Sequence, residues 1–177
     1  TVEDGNGCSA DATTTVVMNP LPTAVITGTI TICAGLSTDL RFTLTGTGTF
    51  DVVYFDGTSN FNLNGISDGA TVSVSPGTTT TYSLVSVLDN GTTCVGTISG
   101  SAVITVTPLP TAAITLAAGP ICAGEDAVFT INGSPGATVT YSTDGGTTNP
   151  TVVLDFGGAA TITIPTSSPS SANITLD

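Results

Sequence analysis

Apolar and polar residues alternate with a period of two along most of this chain, in short stretches broken by glycine, proline and Asp-Gly or Asn-Gly pairs. No stretch of helical length carries an i, i+3, i+4, i+7 apolar stripe, so the pattern predicts strands and turns. Residues 23–32 read as a first strand kinked at Gly28, followed by a turn at Cys33-Ala34-Gly35. Residues 40–45 form a second strand and 50–55 a third, closed by the hairpin signal Asp56-Gly57. Phe61-Asn62-Leu63, 71–75, 80–88 and 101–107 complete the set, with Pro76-Gly77 and Asp89-Asn90-Gly91 as turns. Seven short strands with turn signals roughly every 8–12 residues predict an all-β fold, an antiparallel β-sandwich of immunoglobulin type.

The plan then repeats. Asn19-Pro20-Leu21-Pro22-Thr23 returns as Thr107-Pro108-Leu109-Pro110-Thr111, 88 residues on. Ile32-Cys33-Ala34-Gly35 returns as Ile121-Cys122-Ala123-Gly124, Cys8 as Cys94, and Tyr54 as Tyr141. In the second copy, 111–120, 126–132, 137–143, 152–154, 160–164, 165–171 and 172–176 take the strand positions, with Asp144-Gly145-Gly146 as the hairpin. The expected organisation is tandem: residues 1–20 as the end of a preceding immunoglobulin-like repeat, 21–108 as a complete one, and 109–177 as one lacking its last strand. Residues 13–18 would be the last strand of the preceding copy. Because Asp177 reads into Thr1 with the pattern unbroken, the 177 residues read as one window of a longer periodic array.

Pro20, Pro22, Pro108 and Pro110 fall where one copy becomes the next. Proline fixes φ and has no N–H, so strand pairing cannot continue through these points. A Pro-x-Pro joint is extended and semi-rigid, which predicts a stiff rod and not a hinged chain.

Composition sharpens the picture. Threonine makes up about a fifth of the residues, and β-branched side chains favour pleated sheet. There are 13 acidic residues, one base (Arg41), no Lys and no His, giving a net charge of −12. Such a surface repels nucleic acid and anionic lipid. No apolar run approaches the ~20 residues that span a bilayer. Without His or Lys there is no conventional base for a serine nucleophile, and no acidic pair sits in a cleft-forming context, so the chain reads as a non-enzyme.

The four cysteines, Cys8, Cys33, Cys94 and Cys122, recur with the repeat. Without His or a C-x₂-C pair, zinc is disfavoured, and a disulfide role places the chain in an oxidising, extracellular compartment. Cys33 precedes the second strand and Cys94 follows the sixth. These strands run the same way, which argues for bonds between neighbouring repeats; a strand count wrong by one would favour Cys33 with Cys94 instead. No cofactor is called for. Asp4, Asn6 and Asp11 could offer oxygens to Ca2+, but the spacing does not match an EF-hand loop, and a polar hairpin turn is the favoured reading.

Pro-Leu-Pro-Thr-Ala, Thr-Ile-Cys-Ala-Gly, Thr-Thr-Thr-Thr-Tyr-Ser-Leu and Ser-Gly-Ser-Ala-Val-Ile-Thr-Val, in that order, resemble the tandem Ig-like or PKD-like repeats of very large secreted surface proteins of Bacteroidota. Those include the gliding-motility adhesins and related proteins of the type IX secretion system. The likeness covers the first complete copy and is weaker in the second, where 161–171 departs from the Thr-rich-Tyr segment. It implies an extracellular stalk, fibre or adhesin on the cell surface, partnered by neighbouring copies of the repeat and by surface glycans. A binding module holding a glycan or Ca2+ at the domain tips is the alternative, with Tyr54 and Phe55 as its best candidates. An accessory domain of a secreted enzyme is a third.

Overall fold

The computed structural model describes residues 1–116, 121–122, 124–143, 149–165 and 174–176. The described residues form strands and turns, with no helix. The chain divides into two compact units, Thr1–Pro108 and Leu109–Asp177.

Unit 1 opens with a hairpin of two two-residue strands, β1 (Val2–Glu3) and β2 (Ser9–Ala10). Its body follows as β3 (Thr23–Thr27), β4 (Ile30–Cys33), β5 (Thr38–Thr45), β6 (Phe50–Phe55), β7 (Asn60–Ile66), β8 (Thr71–Val74), β9 (Thr80–Asp89), β10 (Cys94–Val95), β11 (Thr97–Ser99) and β12 (Ser101–Thr107). One sheet has the order β11-β3-β5-β8, the other β4-β12-β9-β6-β7, with β10 paired to the end of β9. Alternation decides what each strand buries. Leu40, Phe42 and Leu44 of β5, Phe50, Val52 and Tyr54 of β6, and Ala102 and Ile104 of β12 all point into one core. Phe42 and Tyr54 meet across it at 5.7 Å between ring centroids.

The first and last strands change sheets side by side. β3 lies in the first sheet and β4 in the second, broken at Gly28; β11 lies in the first and β12 in the second, broken at Gly100. β11 runs parallel to β3 and β12 parallel to β4. Both glycines have positive φ (136° and 81°), which L side chains rarely adopt. A Cβ at Gly100 would stand 2.6 Å from the Ile26 carbonyl oxygen, and one at Gly28 2.8 Å from that of Asp39. The paired crossing brings both sheets together along one side of the sandwich and leaves the other side, between β8 and β7, open.

A β-bulge in β9 sets its inward face. Tyr54 stands opposite Leu84 and Val53 opposite Ser86, so Val85 is an extra residue. The alternation that begins at Tyr82 and Leu84 would otherwise continue to Ser86 and Leu88. The bulge moves it to Val87 and Asp89, both fully buried.

Unit 2 contains β13 (Ala112–Leu116), β14 (Ala127–Gly133), β15 (Thr138–Thr143), β16 (Thr151–Val153), β17 (Ala159–Ile164) and β18 (Ile174–Leu176). Its sheets have the orders β13-β14-β17 and β16-β15-β18. They enclose a smaller core of Ile131, Val139, Leu154 and Ile162. The hairpin expected at Asp144-Gly145-Gly146, and the parts of the expected strands that cover 117–120, 166–171 and 172–173, lie outside the described residues.

One expected strand is corrected. Residues 13–18 take no strand conformation and are exposed throughout. Their sequence counterpart, β12, is a strand because it is paired on both sides, to β9 and to β4. The β-branched run at 13–18 has neither neighbour, and propensity alone does not hold a lone strand.

Candidate functional site: cysteine turns and proline joints

Each kind of cysteine turn shares features between its two occurrences. After Cys33, the Leu36 N–H donates to the Cys33 carbonyl at 3.1 Å, with Gly35 at φ 87°. After Cys122, the Glu125 N–H donates to the Cys122 carbonyl at 3.1 Å, with Gly124 at φ 92°. This is the geometry in which glycine supplies the positive φ of a tight turn. The other cysteine is preceded each time by an aspartate that caps a turn. Asp4 Oδ1 accepts the N–H groups of Asn6 and Cys8, each at 2.9 Å. Asp89 Oδ1 accepts the Gly91 N–H at 2.8 Å. The residue just before the cysteine has positive φ in both, Gly7 at 82° and Thr93 at 58°.

Register places Cys33 and Cys94 at opposite poles of unit 1. Cys33 stands beside Thr107 at the end of β12, past Ile104, which pairs with Thr80 at the start of β9. Cys94 stands beside Asp89, the last residue of β9. A ten-residue strand separates them, which is on the order of 30 Å at ~3.3 Å per residue. A disulfide needs Cα atoms within ~7 Å, so no bond joins these two inside the folded unit. All four cysteines are free thiols in this structure; Cys8, Cys33 and Cys122 are exposed and Cys94 is half-buried.

The pole carrying Cys94 is organised by Asp89, a residue that the sequence marks only as part of the Asp89-Asn90-Gly91 turn. Its Oδ2 accepts the Thr47 N–H at 2.8 Å and the Thr47 hydroxyl at 3.2 Å. Burial alone would raise its pKa. The backbone N–H of Thr47, helped by that of Gly91, outweighs burial and holds the carboxyl below the ordinary range. Gly46, Gly48 and Gly91 pack against this carboxylate so closely that a Cβ on Gly46 would stand at 2.5 Å from Oδ2. Next to it, the Asn90 side chain donates to Asp51 at 3.0 Å and lowers the Asp51 pKa, with the Gly65 N–H as the second cause. The burial of Asp89 depends on the bulge in β9, which local sequence does not encode.

The prolines divide. Pro20, Pro108 and Pro110 are exposed, whereas Pro22 is fully buried. The Pro22 carbonyl accepts the Thr97 N–H at 2.9 Å, and a Cβ on Gly96 would overlap it. Pro22 therefore anchors the start of β3 inside unit 1. Residues 108–111 separate β12 from β13.

Of the Ca2+ candidates, Asp4 is engaged in its own hairpin turn, and its pKa is lowered by the N–H groups of Cys8 and then Asn6. Asp11 accepts the Thr1 hydroxyl. Among the described residues no three acidic or cysteine side chains converge as a metal site would require. Tyr54 is buried in the core and Phe55 half-buried.

No protein-family model matches this chain, and no curated protein matches it. Among solved structures it is similar to the I67–I69 fragment of the titin I-band, at 15% identity and a TM-score of 0.51, covering 91% of this chain and 65% of that fragment. It is also similar to a 1.5-MDa bacterial ice-binding adhesin, at 15% identity and a TM-score of 0.41, covering 85% of this chain and 56% of that one. The chain thus spans less than two-thirds of the length of each. At this identity the likeness to the titin fragment concerns the fold alone: this chain is a tandem of immunoglobulin-like, all-β units.

Proposed function

We propose that this chain is a structural repeat of an extracellular bacterial surface filament or adhesin stalk, in which immunoglobulin-like units in series form a stiff rod. The observation that carries the reading is the tandem of units joined across only four residues, 108–111, two of them proline. So short a joint has little slack, and its prolines restrict the backbone further. The resemblance to Bacteroidota surface repeats points to a cell-surface location and to type IX secretion. The net charge of −12, with a single base, would keep neighbouring rods apart.

The cysteines fit this role as cross-links between repeats. With one cysteine turn at each pole of unit 1 and the intra-unit bond excluded by distance, Cys33 would pair with the turn cysteine of the following repeat and Cys94 with the Cys-Ala-Gly cysteine of the preceding one. Cys8 and Cys122 would bond outward in the same way. The role is mechanical and non-enzymatic, and no cofactor is required.

Immunogold labelling of intact producing cells with an antibody against residues 21–108 tests the reading. Label along projections from the cell surface is the expected result. Label confined to the cell interior would overturn it.

A further inference from the structure

On the open side of unit 1, the six-stranded sheet overhangs the four-stranded one. Between the inner face of β6 and β7 and the end of β8 lies a groove of about 420 Å3, lined by Tyr54, Asp56, Thr58, Phe61, Ser75 and Tyr82 among others. Phe61 alternates with Asn60, Asn62 and Asn64, so it occupies a core-facing position of β7. No strand of the other sheet covers it. It stacks on Tyr54, its cross-strand partner, at 5.0 Å and 19°, and remains 40% exposed. Tyr82 flanks Tyr54 at 6.3 Å. An aromatic ring is thus held rigidly, with one face backed by a second ring and part of its surface open to solvent.

The polar side of the groove is equally specific. Asp56 closes the β6–β7 hairpin, its Oδ1 accepting the N–H groups of Thr58 at 2.8 Å and Ser59 at 2.7 Å. These two donors, Ser59 first, keep the carboxyl ionised well below neutral pH. An ionised carboxylate offers about four acceptor positions, so capacity remains. The hydroxyls of Thr58, Ser75 and Tyr82 belong to residues of the same groove. No base lines it: the chain has no Lys or His, and its one Arg lies elsewhere on β5.

We propose that this groove binds a neutral saccharide, with the Phe61 ring against the C–H face of a pyranose and Asp56 accepting its hydroxyl protons. The combination selects the ligand class. A rigid aromatic surface with a few directional polar groups is how small-ligand sites fix orientation. A carboxylate without a neighbouring base disfavours anionic sugars and phosphates, and a single carboxylate is too few ligands for Ca2+. The fold itself does not need the stack. In unit 2, Tyr141 occupies the position of Tyr54, but its N–H donates to Pro150 across the strand pair, and β16 carries no aromatic residue. The inference is independent of the rod: unit 1 would bind sugar whether or not repeats align stiffly.

The test is amide NMR of the 177-residue chain titrated with neutral gluco-, manno- and galacto-oligosaccharides to about 10 mM, an affinity range suited to one shallow site. Saturable shifts at 54–61 and 73–82 are expected with at least one of these sugars. Phe61→Tyr retains binding. Phe61→Ala weakens it by roughly tenfold or more, the loss that follows from removing one aromatic contact surface. Because Phe61 is half exposed, the variant keeps its fold, which its own spectrum verifies. Asp56→Asn keeps the turn but weakens binding several-fold. No saturable shift with any of the three series, or equal binding by Phe61→Ala, overturns the proposal. So do shifts at the same residues that grow with protein concentration in the absence of sugar, which would assign the groove to a segment of a second copy.

Discussion

Two glycines of unit 1 separate backbone strain from steric contact. Gly35 and Gly100 have nearly the same φ, 87° and 81°. Nothing lies within 4 Å of a Cβ built on Gly35, whereas one on Gly100 would meet the Ile26 carbonyl oxygen at 2.6 Å. Replacing either by alanine forces an L residue into the left-handed region, which costs about 1–3 kcal/mol. Both substitutions also restrict the unfolded chain equally, and that contribution cancels between them. Only Gly100→Ala must in addition push β12 away from β3, an overpacking penalty of about 1–3 kcal/mol. The difference between the variants is therefore the crossing contact alone. With a urea slope of about 2 kcal/mol/M, it appears as a midpoint roughly 0.5–1.5 M lower for Gly100→Ala than for Gly35→Ala. Tyrosine fluorescence in a Tyr141→Phe background reads unit 1, because Tyr54 and Tyr82 are then the remaining tyrosines. Equal midpoints for the two variants would refute the claim that the paired crossing at Gly28 and Gly100 is sterically fixed.

Other consequences follow from the same geometry. Phe42 has no exposed surface and touches Tyr54, so Phe42→Ala should destabilise unit 1 by about 3–5 kcal/mol, seen by chemical denaturation; a change under about 1 kcal/mol would mean the core is not packed around it. Asp4, Asp51, Asp56 and Asp89 all have folded pKa values below the unfolded carboxylate value of about 3.9. Their stabilisation is complete above that value and is lost as pH falls through the folded ones. Since the chain has no His, stability should be flat from roughly pH 5 to 8 and fall steeply below about 4; a transition near pH 6.5 in thermal melts would contradict this. A non-reducing peptide map of native material should show no Cys33–Cys94 linkage, and finding one would mean that the register of β9 and β12 is wrong.

Much of the fold was legible because alternation and turn residues speak locally. Residues 50–55 and 101–107 form strands with the expected bounds, and the break of the first strand at Gly28 is where the glycine stands. What was not legible depends on contacts between distant residues. β10 and β11 are only two and three residues long, too short to carry a period, and they exist because the end of β9 and β3, respectively, offer partners. The bulge at Val85 follows from how β9 fits β6, and with it the burial of Asp89. Residues 13–18 show the reverse case, a strand-like sequence without a sheet. The exposure of Phe61 is not visible in the short strand pattern Phe61-Asn62-Leu63, because it follows from the overhang of β7.

Small-angle X-ray scattering from concatenated arrays of two, four and six repeats decides whether units in series form a stiff rod. A stiff rod gives a radius of gyration that grows in proportion to repeat number, each repeat adding on the order of 30–40 Å of length, as strands of this size require. Growth near the square root of repeat number, the behaviour of a flexibly jointed chain, would contradict it.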